Sequence, residues 1–180
     1  MPKKIVITGG PGTGKTALVS YLLTQGHQCM PEISRQVTIE AQKLGIEQLF
    51  LEDPILFSQK LLEGRLKQFN DTENLEKTYL FFDRGLPDVT AYMDYSQTVY
   101  PDHFLETCHT NKYDIIFLLP PWKEIYKQDN ERYETFEESQ KIHDYLLMGY
   151  EKYGYQVIEI PFGNLESRKD FIFNKLRQLF

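Results

Sequence analysis

Cysteine is nearly absent. The 180 residues hold two, Cys29 and Cys108, with no metal-ligand spacing and too few for a disulfide framework. Thiols used this sparingly point to a reducing cytoplasm. Long apolar runs are missing too: the longest, Ile115 to Leu119, is far short of the roughly 20 residues that cross a bilayer. The basic start, Met1 to Ile5, reaches Gly9-Gly10-Pro11 before an apolar stretch of leader length has formed, so no signal peptide is expected. Excess positive charge is lacking. Lys and Arg number 20 against 26 Asp and Glu, a net −6, which argues against a dedicated nucleic-acid binder while leaving room for a local basic pocket. The four histidines form no metal or catalytic pattern. Neither repeats nor a low-complexity tract breaks the chain. What is present, 41% hydrophobic and 26% charged residues, is the composition of one globular domain over residues 1–180.

Short apolar runs alternate with longer helical ones. Lys4 to Thr8 is β-branched and continuous, as a strand buried on both faces should be. Further strands are expected at His27 to Met30, Tyr79 to Phe82, Asp114 to Leu119 and Gln156 to Ile160. Helices are expected at Lys15 to Thr24, Ile33 to Leu44, from Asp53-Pro54 onward, Leu86 to Tyr95, Asp102 to Cys108, Glu137 to Tyr153 and Leu165 to Leu179. Asp53 caps the third of these with Pro54 in its first position, and Ile55, Leu62, Leu66 and Phe69 share a face. In the last helix Leu165, Ile172, Leu176 and Leu179 should face inward. Strands alternating with helices imply an α/β fold with a parallel sheet, whose ligands bind at the strands' carboxyl ends.

Polar clusters sit just after three of these runs. Gly9-Gly10-Pro11-Gly12-Thr13-Gly14-Lys15-Thr16, followed by Ala17, fits the phosphate-loop pattern at every fixed position, between a strand and a helix. Its glycines let backbone N–H groups turn toward a phosphate, and the helix N-terminus adds positive potential. Lys15 is placed for the β- and γ-phosphates, and the Thr16 hydroxyl for Mg²⁺. Asp83, directly after a strand, is the candidate second carboxylate for the metal, against the plainer reading of a helix cap. Asp114 begins its strand and so lies at the wrong end of the sheet. Arg84 is placed to clamp a transferring phosphoryl group. Asp88 either faces the same cleft as a substrate contact or stabilises its helix's N-terminus.

Glu32, after the weakest strand, is a candidate base for a substrate hydroxyl, and Arg35 a candidate anion contact one turn on; a cap and a solvated side chain are the alternatives. Arg132, in a charged stretch within a lid-like segment of about residues 122–136, is a candidate for neutralising transition-state charge, with a surface ion-pair network as the competing reading. Trp122 reads as packing or as an aromatic shelf for a base. Pro161 to Asn164 is a candidate adenine site. No Asn-Lys-x-Asp guanine motif follows the fourth strand, which favours ATP over GTP.

Five segments occur in order beyond the phosphate loop: Pro31 to Arg35, Phe82 to Asp88, Tyr113 to Leu118, Gln128 to Thr135 and Gly154 to Pro161. In this the chain resembles the NadR-type P-loop ATPase domain family, which carries an AAA label and takes in the ribosylnicotinamide kinase domain and the TRPL translocation defect protein. The resemblance covers nearly the whole chain. It implies a nucleoside- or nucleotide-kinase-like three-layer α/β/α core with a central five-stranded parallel sheet. It also implies ATP or GTP with Mg²⁺, Asp83 and Arg84 lining the cleft, and Arg132 in the lid. The hexameric AAA+ apparatus is not implied, because no Asp-Glu Walker B pair, sensor segment or small helical domain is present. The adenylyltransferase domain of NadR has no counterpart in these residues. Two functions stay open: a small-molecule kinase or ATPase using the γ-phosphate of ATP, and a regulatory ATP/GTP-binding module that hydrolyses slowly and contacts a protein or lipid headgroup. A kinase needs Glu32, Arg35, Asp83 and Arg84 gathered at one pocket; a switch does not.

Overall fold

The computed structural model describes residues 2–72, 77–126 and 134–180. Five strands, β1 (Lys3–Thr8), β2 (Gln28–Met30), β3 (Tyr79–Asp83), β4 (Ile115–Leu118) and β5 (Val157–Glu159), form one parallel sheet in the order β2-β3-β1-β4-β5. The helices are α1 (Lys15–Thr24), α2 (Ile33–Lys43), α3 (Leu49–Glu52), α4 (Pro54–Asn70), α5 (Leu86–Tyr95), α6 (His103–Thr110), α7 (Phe136–Lys152) and α8 (Leu165–Leu179).

Alternate side chains of a strand point to opposite faces, and both faces of this sheet are covered. Ile5, Ile7, Phe81 and Phe117 pack against Leu18 and Leu22 of α1 and Ile172 and Leu176 of α8. Val6, Phe82 and Ile116 face Leu62 of α4, Val89 of α5 and Tyr150 of α7. The result is the expected three-layer arrangement, and it explains why β1 and β4 read as unbroken apolar runs. α5 and α7 pack closely because Gly149 carries no side chain: a Cβ there would come within 2.8 Å of Ala91 Cβ.

Local chemistry sets the helix starts. Asp53 accepts the Leu56 N–H at 2.9 Å, Thr135 and Glu138 form a capping box at α7, and Asn164 caps α8. Strand and helix limits differ from the sequence expectations by a residue or two, except for the four-residue α3, which has no apolar period to reveal it. In α4, Ile55 stays exposed, and the buried face is Ser58, Leu61, Leu62 and Arg65. In α8, Leu179 is exposed in the last turn, and the inward stripe includes Arg168. Asp114 lies before β4, bound to Lys3 at 3.0 Å, at the end of the sheet away from the phosphate loop. No helix among the described residues is long and apolar enough to cross a membrane.

Candidate active site

The turn from β1 into α1 places residues 10–17 along a cavity of about 590 Å³. Gly12 and Gly14 have φ of +73° and +79°, where side chains are strained, and Thr13 Oγ1 donates to the Gly10 carbonyl at 3.0 Å. Gly9 lies just behind, where a Cβ would be 3.0 Å from the Leu119 carbonyl. Lys15 is buried, and its ammonium pairs with Asp83 and, at 3.6 Å, with Glu32. β3 is the neighbour of β1 and β2 the neighbour of β3, so strand order alone delivers both carboxylates to this lysine.

Arg84 sits at the centre of the cleft. Its Nε donates to Glu32 at 2.8 Å and its Nη1 to Asp88 at 3.3 Å, and its guanidinium lies 5.3 Å from the Tyr92 ring. Asp88 is fully buried. Its two oxygens accept from Thr8 Oγ1, Arg84, the Gly85 N–H at 2.8 Å and the Tyr150 hydroxyl. Four donors occupy the roughly four lone-pair sites of a carboxylate, so in this state Asp88 has no acceptor left for a substrate and instead fixes Arg84.

Burial alone would raise the Glu32 pKa. Arg84 first, then Lys15 and Arg65, with a hydrogen bond from Ser34, hold it well below the usual carboxylate range. A carboxylate depressed in the folded state stabilises the fold above its unfolded value, and that contribution is lost as pH falls through the folded value. Wild-type melting temperature should therefore fall from about pH 4.3 downward. Glu32→Gln should lose less over the same range; parallel melting curves for the two proteins would contradict the assignment.

A second cavity, also about 590 Å³, opens on the other side of this network. Glu32, Ser34, Phe57, Arg84, Tyr92 and Glu134 border both cavities. Apolar side chains, including Phe50, Leu61, Val89 and Met93, line the second one. So does Arg65, which is 3% exposed and donates to the Gly85 carbonyl at 2.9 Å while its Nε has no partner among the described residues. The sequence reading passed over Arg65, yet it stands at the i+3 position from Leu62 on a buried face. A charge in an apolar stripe was the available signal.

Glu32, Asp83, Arg84 and Asp88 thus gather beside the phosphate loop. Arg35, the fourth residue expected at an acceptor pocket, does not join them: it is exposed and borders neither cavity, because Ile33 and Val37 take the inward face of α2. On the second cavity Arg84 is joined by Arg65 instead. Arg132 lies outside the described residues, as does most of the charged stretch around it. Of the lid-like segment, Tyr126 covers the loop so closely that a Cβ on Gly12 would run into its ring, and its hydroxyl donates to the Glu134 carbonyl. Trp122 stacks on Phe162 with centroids 5.2 Å apart. Cys29 and Cys108 form no disulfide, and burial pushes both thiols up in pKa.

Two carboxylates, Asp83 and Glu32, pair with Lys15, and Thr16 lines the adjoining cavity with a hydroxyl, so the oxygens on offer are all hard. That set suits Mg²⁺, which takes few protein ligands alongside phosphate and water. Thr16, exposed on the phosphate cavity, and Asp83 are the residues that fit the role.

The chain matches the model of an AAA domain family over residues 4–168. A search among curated proteins finds no significant match. Among solved structures, deoxyadenosine kinase from M. mycoides with the products dCMP and dCDP bound is similar at a TM-score of 0.70 and 18% identity, over 97% of this chain and 99% of that one. The same enzyme with bound dATP gives 0.62 at 18% identity over the same shares. NadR protein in complex with NR gives 0.72 at 18% identity, over 99% of this chain and 50% of that one. At such identity the likeness establishes the fold alone, the parallel α/β fold that these structures share with this chain.

Proposed function

The chain belongs to this AAA domain family, and we propose that the protein is a Mg-ATP-dependent kinase that phosphorylates a hydroxyl of a small, nucleoside-type acceptor. One observation carries the reading: the phosphate-loop cavity meets a second, largely apolar cavity of equal size along a shared wall that holds Glu32 and Arg84. A nucleotide switch needs only the first cavity. An acceptor held in the second would present its hydroxyl at that wall, on the far side of the γ-phosphate from the leaving ADP, as in-line transfer requires. That one named neighbour is a deoxyadenosine kinase and the other a protein in complex with NR supports the choice of class.

In this reading the acceptor oxygen bonds to the γ-phosphorus as the bond to the ADP oxygen breaks, and the proton passes to a carboxylate. Thr16 and Asp83 are the residues that would hold Mg²⁺, which would neutralise phosphate charge. Lys15 and Arg84 supply the remaining positive charge from the protein. Glu32 is a poor base while Lys15 and Arg84 both press on it. A triphosphate in the loop draws Lys15 away, and Glu32 regains basicity when the donor is in place. Arg65, a buried cation on the wall of the second cavity, is a candidate contact for the acceptor.

A panel of nucleosides and vitamin precursors with Mg-ATP, read by ADP release, tests the proposal; no acceptor raising release above background would overturn it. Glu32→Gln should lower acceptor-dependent turnover by about a hundredfold or more. It should leave ATP affinity equal or slightly improved, since one competitor for Lys15 is gone. A loss confined to ATP affinity would remove Glu32 from the base role.

A further inference from the structure

Arg168 is a buried cation that the reaction above leaves unused. It sits on α8 at 2% exposure, in line with Leu165, Ile172 and Leu176, where the helical period places an apolar side chain. Its Nη1 donates to the Thr13 carbonyl at 3.1 Å. The Trp122 ring lies 4.9 Å from its Cζ. Among the described residues its buried Nε and Nη2 have no hydrogen-bond partner, and no carboxylate pairs with it. A buried charge without a counter-ion is left with its desolvation uncompensated, and desolvation pulls the Arg168 pKa down accordingly.

We infer that Arg168 is a positioning residue for the nucleotide's phosphates, gripping the phosphate loop from its outer side, and that Trp122 seats it there. The Thr13 carbonyl belongs to the same peptide unit as the Gly14 N–H. A guanidinium on that oxygen polarises the N–H and fixes its direction, so the donor is aimed before the phosphate arrives. Gly14 also gives the grip its room: a Cβ there would lie 3.0 Å from Arg168 Nη1 and press it away from the carbonyl. The glycine therefore serves both the loop's positive φ and the close approach of the arginine. The missing counter-ion is the third element. In a poorly solvated site, an uncompensated positive charge behind the loop becomes favourable when a polyanion occupies the front. Trp122 holds the guanidinium by its ring face, backed by the stacked Phe162.

The inference rests on the phosphate loop being the nucleotide site and not on any acceptor, so it is tested by binding alone. Calorimetric titration of Mg-ATP, ADP and AMP is compared among wild type, Arg168→Met, Arg168→Lys and Trp122→Leu. Arg168→Met should weaken ATP by about tenfold or more, ADP less and AMP least. Arg168→Lys should restore most of the loss, because the charge remains. Trp122→Leu should cost about threefold in the same order. A brace with only a structural role would lower melting temperature while leaving the ATP-to-AMP ratio unchanged, and that result, or unchanged ATP affinity, overturns the inference. If Arg168→Met does not fold, the lysine and Trp122 variants decide by the same ratio. Failure of the kinase reading looks different: wild type binds ATP, the ratios shift as stated, and the acceptor panel stays silent.

Discussion

Lys15→Ala is expected to lower phosphoryl transfer on the order of a thousandfold, with ATP affinity falling by a smaller factor. The lysine has two tasks in this cleft. With nucleotide bound it reaches the phosphates; without nucleotide it is the counter-ion of Asp83 and Glu32. Its removal leaves Asp83, 8% exposed, without an ion-pair partner among the described residues, while Glu32 keeps Arg84 at 2.8 Å. Breaking a buried pair from one side costs about 3 kcal/mol, so the empty variant should also melt early. The double variant Lys15→Ala/Asp83→Asn separates the two tasks. Its melting temperature should recover toward wild type, because no bare carboxylate remains, while turnover stays lost. Turnover near wild type in Lys15→Ala would take the loop out of the reaction. A double variant as unstable as the single one would show that the Lys15–Asp83 pair is not what the lysine contributes to the fold.

That site was legible in the sequence where a local pattern carries the chemistry. The loop from Gly9 to Thr16 is contiguous, and Asp83 and Arg84 directly follow a strand that ends where an α/β sheet binds its ligands. Glu32 was reachable only through a three-residue strand, which becomes certain once β2 is seen paired with β3. Arg35 was placed by spacing from Glu32, but Ile33 and Val37 claim the inward face of α2 and turn it to solvent. Asp88 reads in the sequence either as a cleft contact or as a stabiliser of its helix's N-terminus; it does accept the Gly85 N–H at that N-terminus, and its saturation by four donors depends on Thr8 and Tyr150, distant in sequence. Arg65 and Arg168 escaped for one shared reason. Each stands in an apolar stripe, and pattern reading treats such a charge as noise on the exposed side. A buried charge with unused donors is the more informative reading, because the fold tolerates it only when something offsets its desolvation.

The backbone of Arg84 allows the second large effect to be divided between strain and charge. After β3 ends at Asp83, the Arg84 N–H continues the ladder to the Ile7 carbonyl at 3.1 Å. The chain then turns abruptly so that the Gly85 N–H meets Asp88. Arg84 makes that turn at φ +72°, a left-handed conformation costing a non-glycine residue roughly 1–2 kcal/mol. Its hydrogen bonds to Glu32 and Asp88 and its stacking on Tyr92 hold it there, and strain of this kind gathers at functional sites. Both Arg84→Ala and Arg84→Gly should lose turnover by on the order of a thousandfold, since each removes a charge placed for the γ-phosphoryl. They should differ in stability. Alanine loses the ion pairs and keeps the strain, whereas glycine loses the ion pairs and relieves it, so urea denaturation should find the glycine variant more stable by about 1 kcal/mol. Equal stability would mean the turn is unstrained. Turnover within a few-fold of wild type in either variant would mean that Arg84 organises Glu32 and Asp88 without touching the transferred group.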